Sequence, residues 1–426
     1  LTAVLAPIFA LLMSAALLLM GNGLQSTLLP VRAKLEGFTA LEIGVLGSAY
    51  FTGFALGCLH GPRMIRRSGH VRAFAAMVAI ASTVILAHAM ILAPWAWWAL
   101  RVLTGACFAT LYMIVESWLN EKSTNANRGF IFSVYTIINL TVVAIGQLML
   151  LLHEPMDFPL FSIASILVSL AAVPLALTQA SVPAPIEAVH LRFRELYQTS
   201  PIGLTGCLAV GLANGSFWSL APLFVQSRGD ASAHVAIFMS LAVIAGAIGQ
   251  WPLGTLSDRI DRRRVILLTC IGSALAGVAL TWLADAPELI FFAGAFAYGL
   301  FALPLYAISV AHTNDFVQPE GYVEAASGLL LVYAVGAIFG PIVASIVMHH
   351  LGPGSLFSFT ATVHLAMLAY TLHRMPFRPR PPEEEQIPFA DALVVAATTS
   401  TVDPLASIEE PAEDEIAETE QDATPP

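Results

Sequence analysis

The chain has 426 residues, of which 57% are apolar and only 11% charged, against about 25% charged in soluble domains. That excludes an ordinary soluble domain. The formal charge is −10, but residues 375–426 hold 13 acids against 2 Arg, which leaves 16 acids and 17 bases upstream. The body is near neutral with an acidic tail, and it has no basic stripe to follow a phosphate backbone, so nucleic acid is excluded as a partner.

A helix needs about 20 mostly apolar residues to cross the hydrocarbon core. Twelve such stretches run through the chain, at 3–30, 41–60, 73–93, 95–119, 129–152, 159–179, 201–226, 234–254, 265–284, 289–312, 325–348 and 355–374. The breaks between them are short and rich in Gly, Pro and charge. The reading is an all-α integral membrane protein with twelve transmembrane helices. The first stretch is too long for a signal peptide and has no basic residue before it and no small-residue cleavage site after it, so it reads as a retained helix.

Lys and Arg in short loops stay on the cytoplasmic side. With the N-terminus inside, fifteen bases fall on that side: Arg63, Arg66, Arg67, Arg72, Lys122, Arg128, Arg192, Arg194, Arg259, Arg262, Arg263, Arg264, Arg374, Arg378 and Arg380. Only Arg32, Lys34 and Arg228 fall outside. Both termini are expected in the cytoplasm and the protein in the cytoplasmic (inner) membrane, as a monomer in the lipid bilayer. The four cysteines, Cys58, Cys107, Cys207 and Cys270, lie in or beside apolar helices without metal or redox spacing. They read as small hydrophobes, and no metal or cofactor is expected.

Shifting the sequence by 192 residues lays Asn22-Gly23, Leu28 and Pro30 on Asn214-Gly215, Leu220 and Pro222. It also lays Gly37 on Gly229, Gly57 on Gly249, and Arg67 and Arg72 on Arg259 and Arg264. With two residues added, Gly105 meets Gly299, Leu111-Tyr112 meets Leu305-Tyr306, and Gly146 meets Gly340. Two parallel six-helix pseudo-repeats follow, 1–179 and 201–374, joined by a cytoplasmic linker at 180–200. Parallel halves of this kind are a transporter layout with the substrate site near the midplane.

In chain order, the first helix carries Asn22 and Gln25 on one face. The second ends in Gly61-Pro62-Arg63-Met-Ile-Arg66-Arg67. The fourth places Arg101, Gly105, Phe108, Tyr112 and Glu116 on one face, with about 22 Å between its two charges, too far for a direct pair. Charges at membrane depth are costly and mark functional positions. Two readings stand for Glu116: a salt bridge with Arg128, Arg66 or Arg67, or a titrating proton-coupling group. Arg101 reads as a substrate ligand, a tuner of a proton site or a structural hydrogen-bond donor. The seventh helix carries Asn214 and Trp218. The intramembrane histidines His88 and His364 have no ligand partners at spacing and read as neutral packing groups.

The loop after the eighth helix reads Gly254-Thr-Leu-Ser-Asp258-Arg259-Ile-Asp261-Arg262-Arg263-Arg264. It resembles the G-x-L-x-D-R-x-G-R-R signature of the major facilitator superfamily (MFS), with Asp261 in place of the second Gly. The first-half copy departs further, since Arg66 stands where the acid is expected. Tyr50-Phe-Thr-Gly53, Val115-Glu116-Ser117, Asn127-Arg128-Gly129 and Gly249-Gln250-Trp251-Pro252-Leu-Gly254 are similar to the YcaD-type group within it. The resemblance implies the MFS fold and gating roles for Gly254, Asp258, Arg259 and Arg262 beside Glu116, Arg128, Arg66 and Arg67. It also implies a cavity among the first, fourth, seventh and tenth helices, with Asn22, Gln25, Arg101, Tyr112, Asn214, Trp218 and Tyr306 as lining candidates. Gly336-Ala-Ile-Phe-Gly340-Pro341 is similar to an antiporter motif usually found on the fifth helix, and close packing through small residues explains it better.

No nucleotide-binding Gly-x-x-x-x-Gly-Lys-Ser/Thr loop exists, Lys34 and Lys122 are the only lysines, and hydrolase motifs are absent. The chain therefore reads as a non-enzyme that does not use ATP: a secondary active transporter moving a small molecule by alternating access, coupled to protons. A multidrug efflux antiporter is the alternative, against which the first helix lacks the acid such exporters often carry. A membrane sensor signalling through the tail is the third reading. The tail from 375, rich in Pro and acids, is expected to be disordered.

Overall fold

The computed structural model describes residues 8–124, 127–177, 193–229, 232–283, 286–318, 321–377, 386–389 and 391–392. Residues 180–192 of the expected linker and most of the acidic tail lie outside them. Twelve helices among the described residues are long and apolar enough to cross a membrane. They are α1 (Phe9–Leu35), α2 (Ala40–Ser68), α3 (His70–Met90), α4 (Pro94–Glu121), α5 (Arg128–Leu148), α6 (Pro159–Leu170), α7 (Pro201–Gln226), α8 (Ser232–Arg259), α9 (Arg262–Trp282), α10 (Glu288–Ala302), α11 (Tyr322–Leu351) and α12 (Ser355–Arg374). After short breaks, α6 resumes at Ala172–Ala176 and α10 at Leu305–Asn314, the latter beyond Pro304. A short helix, Phe193–Thr199, precedes α7.

Local chemistry sets the ends. Thr39 and Glu42 form a reciprocal capping box at the start of α2. Ser200 caps α7 and Asp261 caps α9 with their side-chain oxygens. Gly37 and Gly229, equivalent in the repeat, turn the chain between α1 and α2 and between α7 and α8 at φ +85° and +79°, a conformation that costs only glycine nothing. One boundary differs from expectation: α1 continues through Pro30 to Leu35, so Arg32 is helical rather than in a loop. There it donates to the Pro155 carbonyl at 3.1 Å and pairs with Glu36 at 2.7 Å, which satisfies a charge that the longer helix carries to the interface.

The repeat seen in sequence recurs as repeated contacts. Gly57 of α2 lies against Ala106 of α4, and Gly249 of α8 against Leu300 of α10. Gly105 meets the Tyr50 carbonyl and Gly299 the Ala242 carbonyl; Gly23 meets Val143 and Gly215 meets Ala337; Gly146 meets Met20 and Gly340 meets Leu212. Each couple is related by the same 192- or 194-residue shift. In both halves, then, the second helix is pressed on the fourth and the first on the fifth, backbone to backbone, where a single Cβ would collide.

The halves touch each other at one end. Gln226 of α7 donates to the Val31 carbonyl of α1, Gly44 of α2 lies against Pro341 and Ser345 of α11, and Ser240 of α8 donates to the Ala144 carbonyl of α5 at 3.0 Å. All these residues lie on the face opposite the Arg-rich loops. Toward the Arg-rich face α4 and α10 have little or no contact among the described residues, so the halves are held together more closely on one side than on the other.

Leu in place of Gly105 or Gly299 is expected to destabilise the bundle by about 2 kcal/mol or more, the cost of overpacking a rigid contact. The measurement is thermal unfolding of each detergent-purified variant. A melting point equal to wild type in both would show that the repeated glycine contacts do not hold the helix pairs.

Candidate functional site

A cavity of about 340 Å³ lies between the halves. Four expected residues line it, Asn22 (α1), Arg101 and Tyr112 (α4) and Trp218 (α7). Three do not. Gln25 is fully buried with both amide atoms unpartnered among the described residues. Asn214 is buried in α7, and Tyr306 packs edge-on against Tyr333 with ring centroids 5.2 Å apart. The split at Pro304 places Tyr306 on the second segment of α10, behind the Tyr333 that does line the cavity.

Aromatic residues not proposed as cavity lining from the sequence form much of the wall: Tyr50, Phe51 and Phe54 on α2 and Tyr333 on α11. The sequence signals were the Tyr50-Phe-Thr-Gly53 stretch and the Tyr50–Phe54 spacing of one helical turn. The α2–α4 glycine contact turns these rings inward, since Gly105 admits the Tyr50 carbonyl. The Arg101 guanidinium then sits 4.4 Å above the Tyr50 ring, a cation–π arrangement. Asn22 donates to the Tyr112 hydroxyl at 3.1 Å, and Ser26 and Ser219 supply two further hydroxyls. Among the described residues no Asp or Glu lines the cavity.

The charged residues of the Arg-rich face form a second cluster. Asp258, near the end of α8, faces Arg262 at 3.2 Å, and Arg262 faces Asp315, just beyond α10, at 3.3 Å. Arg262 and Asp315 are buried. Arg259 is exposed beside them. A segment of the tail lies on this cluster: the Phe389 amide donates to Asp258 at 2.9 Å, the Ile387 amide to Asp315 at 3.3 Å, and Arg262 donates to the Ile387 carbonyl. Gly254 sits under the Phe389 ring, where a Cβ would overlap it. Disorder therefore fails as a description of this part of the tail, because backbone amides, which composition does not reveal, find carboxylate acceptors here.

In the first half, Glu116 is buried beside Tyr135. Arg128 stands at the first position of α5, and Arg66 and Arg67 are exposed at the end of α2. Asp261, which replaces the signature's second Gly, is the α9 cap: it accepts from the Arg263 amide at 3.0 Å and from its guanidinium at 2.6 and 2.9 Å. Burial pushes this carboxyl up, but the Arg263 hydrogen bonds and charge outweigh it and hold it below the usual carboxylate range. No cluster of His, Cys, Asp and Glu suited to a metal occurs among the described residues.

Because the folded state lowers this pKa, its stabilisation is complete above the ordinary carboxylate value near 4 and is lost as pH falls through the lower folded value. Asp261→Ala is expected to cost about 1 kcal/mol at pH 7, as for a lost N-cap. The gap in melting temperature from wild type should shrink in acid. An undiminished gap at pH 3 would assign the effect to something other than the carboxylate.

The chain matches the Major Facilitator Superfamily over residues 11–289. It is 29% identical over 383 residues to an uncharacterized MFS-type transporter, YcaD, of Salmonella typhi, covering 88% of this chain and 97% of that one. Among solved structures it is similar to the nucleoside transporter NupG, with TM-score 0.73 and 13% identity over 87% of this chain and 99% of that one. It is also similar to a D-xylose-proton symporter, with TM-score 0.67 and 12% identity over 88% and 99%. These two likenesses show the shared fold. With twelve spanning helices, a repeated half and this match over most of its length, the chain belongs to the major facilitator superfamily, as a multi-pass membrane transporter of the YcaD-like kind.

Proposed function

We propose that this protein is a proton-coupled secondary transporter of the cytoplasmic membrane that moves a small molecule by alternating access, with both termini in the cytoplasm. The observation that carries the reading is the cavity between two repeated halves, whose hydrogen bonds and closest packing to one another lie toward the face opposite the Arg-rich loops. Rocking the halves about that cavity would exchange which side is open. The fifteen-to-three distribution of bases supports the orientation.

The gate of the Arg-rich side is the Asp258–Arg262–Asp315 cluster. Charge-assisted bonds at a helix end are strong enough to favour one arrangement and exposed enough to exchange partners. Glu116 is the coupling candidate. Among the described residues it is the one carboxylate buried within a span of the first half, and Cys58, Tyr112, Tyr135 and Tyr306 all lie within its electrostatic reach.

The test uses the full chain in proteoliposomes, with currents recorded under an imposed pH gradient for phenylacetate, uridine, xylose and tetraphenylphosphonium. One class should give currents that a protonophore abolishes. Asp258→Asn is expected to slow turnover about tenfold, the worth of one charge-assisted bond, while melting as wild type does. Glu116→Gln should bind but lose proton-driven accumulation. Undiminished turnover in the first variant removes the gate, and proton-driven accumulation in the second removes the coupling role.

A further inference from the structure

The cavity contains one formal charge and nothing to balance it. Arg101 is 7% exposed, and its Nε and Nη1 are buried without a hydrogen-bond partner among the described residues. The Tyr50 ring lies against its guanidinium. Glu116, on the same helix, is about 22 Å away by helical rise. A buried guanidinium with free donors costs several kcal/mol, and the fold keeps it facing an empty space of about 340 Å³. Its planar fork matches a carboxylate with two parallel hydrogen bonds.

The remaining wall narrows the ligand. Phe51, Phe54, Trp218 and Tyr333 offer ring faces, and the Asn22–Tyr112 pair offers one polar patch. A sugar would leave most of its hydroxyls unpaired against such rings. A lipophilic cation would fit the rings but meet Arg101 with no carboxylate to offset the repulsion. A doubly charged phosphate ester would find one cation where it needs more. We propose that the cavity binds an organic monoanion with a flat, aromatic body, its carboxylate on Arg101 and its ring among Phe54, Trp218 and Tyr333. This deepens the transporter reading and rests on it for the cavity's being a transit site.

The test compares phenylacetate with phenylacetamide, which keeps ring and shape but not charge, by thermal shift and equilibrium binding on the purified full chain. Benzoate, indole-3-acetate, uridine, xylose and tetraphenylphosphonium complete the panel. The carboxylates should raise the melting temperature and the amide should not. Arg101→Gln should weaken carboxylate binding about tenfold or more without melting lower than wild type when no ligand is present, since it removes an unbalanced charge. The proposal is overturned if phenylacetamide binds as well as phenylacetate, if Arg101→Gln binds the carboxylates undiminished, or if none of the three carboxylates binds. Binding and currents with uridine or xylose instead would discard the anion and leave the transporter standing.

A separate observation carries a second inference. The tail segment on the gate cluster occupies both gate carboxylates through backbone amides and Arg262 through a carbonyl. Phe389 and Ala392 are buried in an apolar cluster with Leu253, Val265, Ile266 and Leu305. From there Asp391 reaches the other half, its carboxylate oxygen 3.4 Å from where a Cβ of Gly129 would stand at the start of α5. The segment thus spans the gap between halves on the side where they are parted. We infer that Gln386–Phe389, with Asp391 and Ala392, forms a strap that holds the Arg-rich side open, because closing that side requires the space and the gate groups the strap occupies.

Spin labels on Cys substituted for Arg67 and Arg259, both exposed at equivalent helix ends, would report the width of this opening without any substrate. The four native cysteines are buried. Phe389→Glu should add a shorter-distance population, and Gly254→Leu, which evicts the ring from the other side, should do the same. Distance distributions matching the unmodified tail in both variants would overturn the strap.

Discussion

Helices surrounded by lipid gain little by hiding Leu against Leu, so their association depends on how closely their backbones can approach. In this protein that approach is made by glycines at repeat-equivalent positions: Gly57 and Gly249, Gly105 and Gly299, Gly23 and Gly215, Gly146 and Gly340. They weld α2 to α4 and α1 to α5, and likewise α8 to α10 and α7 to α11. Between the halves the contacts are fewer, and their hydrogen bonds and close glycine packing lie toward one end. The division into two stiff bodies with a compliant seam is therefore a consequence of where side chains are missing. The cavity lies in that seam, lined by aromatic residues of both halves.

The cost of charge explains most of what remains. Nearly every base lies at a helix end, where water or a partner is at hand: Arg32 finds Glu36 and the Pro155 carbonyl, and Arg263 finds Asp261. Arg101 is the exception in the first half, held over Tyr50 and otherwise unbalanced. The Arg-rich face concentrates charge in the opposite manner, with Arg262 between two carboxylates that still have lone pairs to offer. Those lone pairs are what the amides of Ile387 and Phe389 take up. An unsatisfied cation thus asks for an anionic ligand in one place, and surplus acceptors recruit a peptide segment in the other.

Much of this was legible in the residues. The twelve spans follow from hydropathy, and the glycines aligned by the internal repeat turned out to be the contact points themselves, because only close approach requires a missing Cβ at the same place twice. Asn22, Arg101, Tyr112 and Trp218 could be placed at the cavity since polar or charged groups on an apolar helix must face something other than lipid. The rings of Tyr50, Phe51, Phe54 and Tyr333 could not, because an aromatic residue is at home in lipid, protein or cavity, and only helix rotation decides among them. Arg32 was misplaced into a loop because Pro30 reads as a stop, although within a spanning helix a proline is tolerated. The docked tail segment was invisible for another reason: its hold is made by main-chain atoms, which every residue but proline offers equally. Asp261 looked like a departure from the signature until its carboxylate was seen capping α9, a role that Gly fills without hydrogen bonding.

The two sites bear on one equilibrium. A ligand shifts a conformational balance only by as much as it prefers one state to the other. The cavity's groups come from both halves, Arg101, Phe54 and Asn22 from the first and Trp218, Ser219 and Tyr333 from the second. A small molecule touching both sets gains contacts when the halves approach on the Arg-rich side, and neutralising Arg101 lowers the cost of drying that space. The strap favours the parted state through three backbone bonds and a buried ring. If these are of ordinary strength, at about 1 kcal/mol for each hydrogen bond and about 2 kcal/mol for the ring, the strap weighs roughly as much as a micromolar ligand's first few contacts. The empty transporter would then rest open, and a ligand able to bridge the halves would supply what is needed to displace the strap and close them.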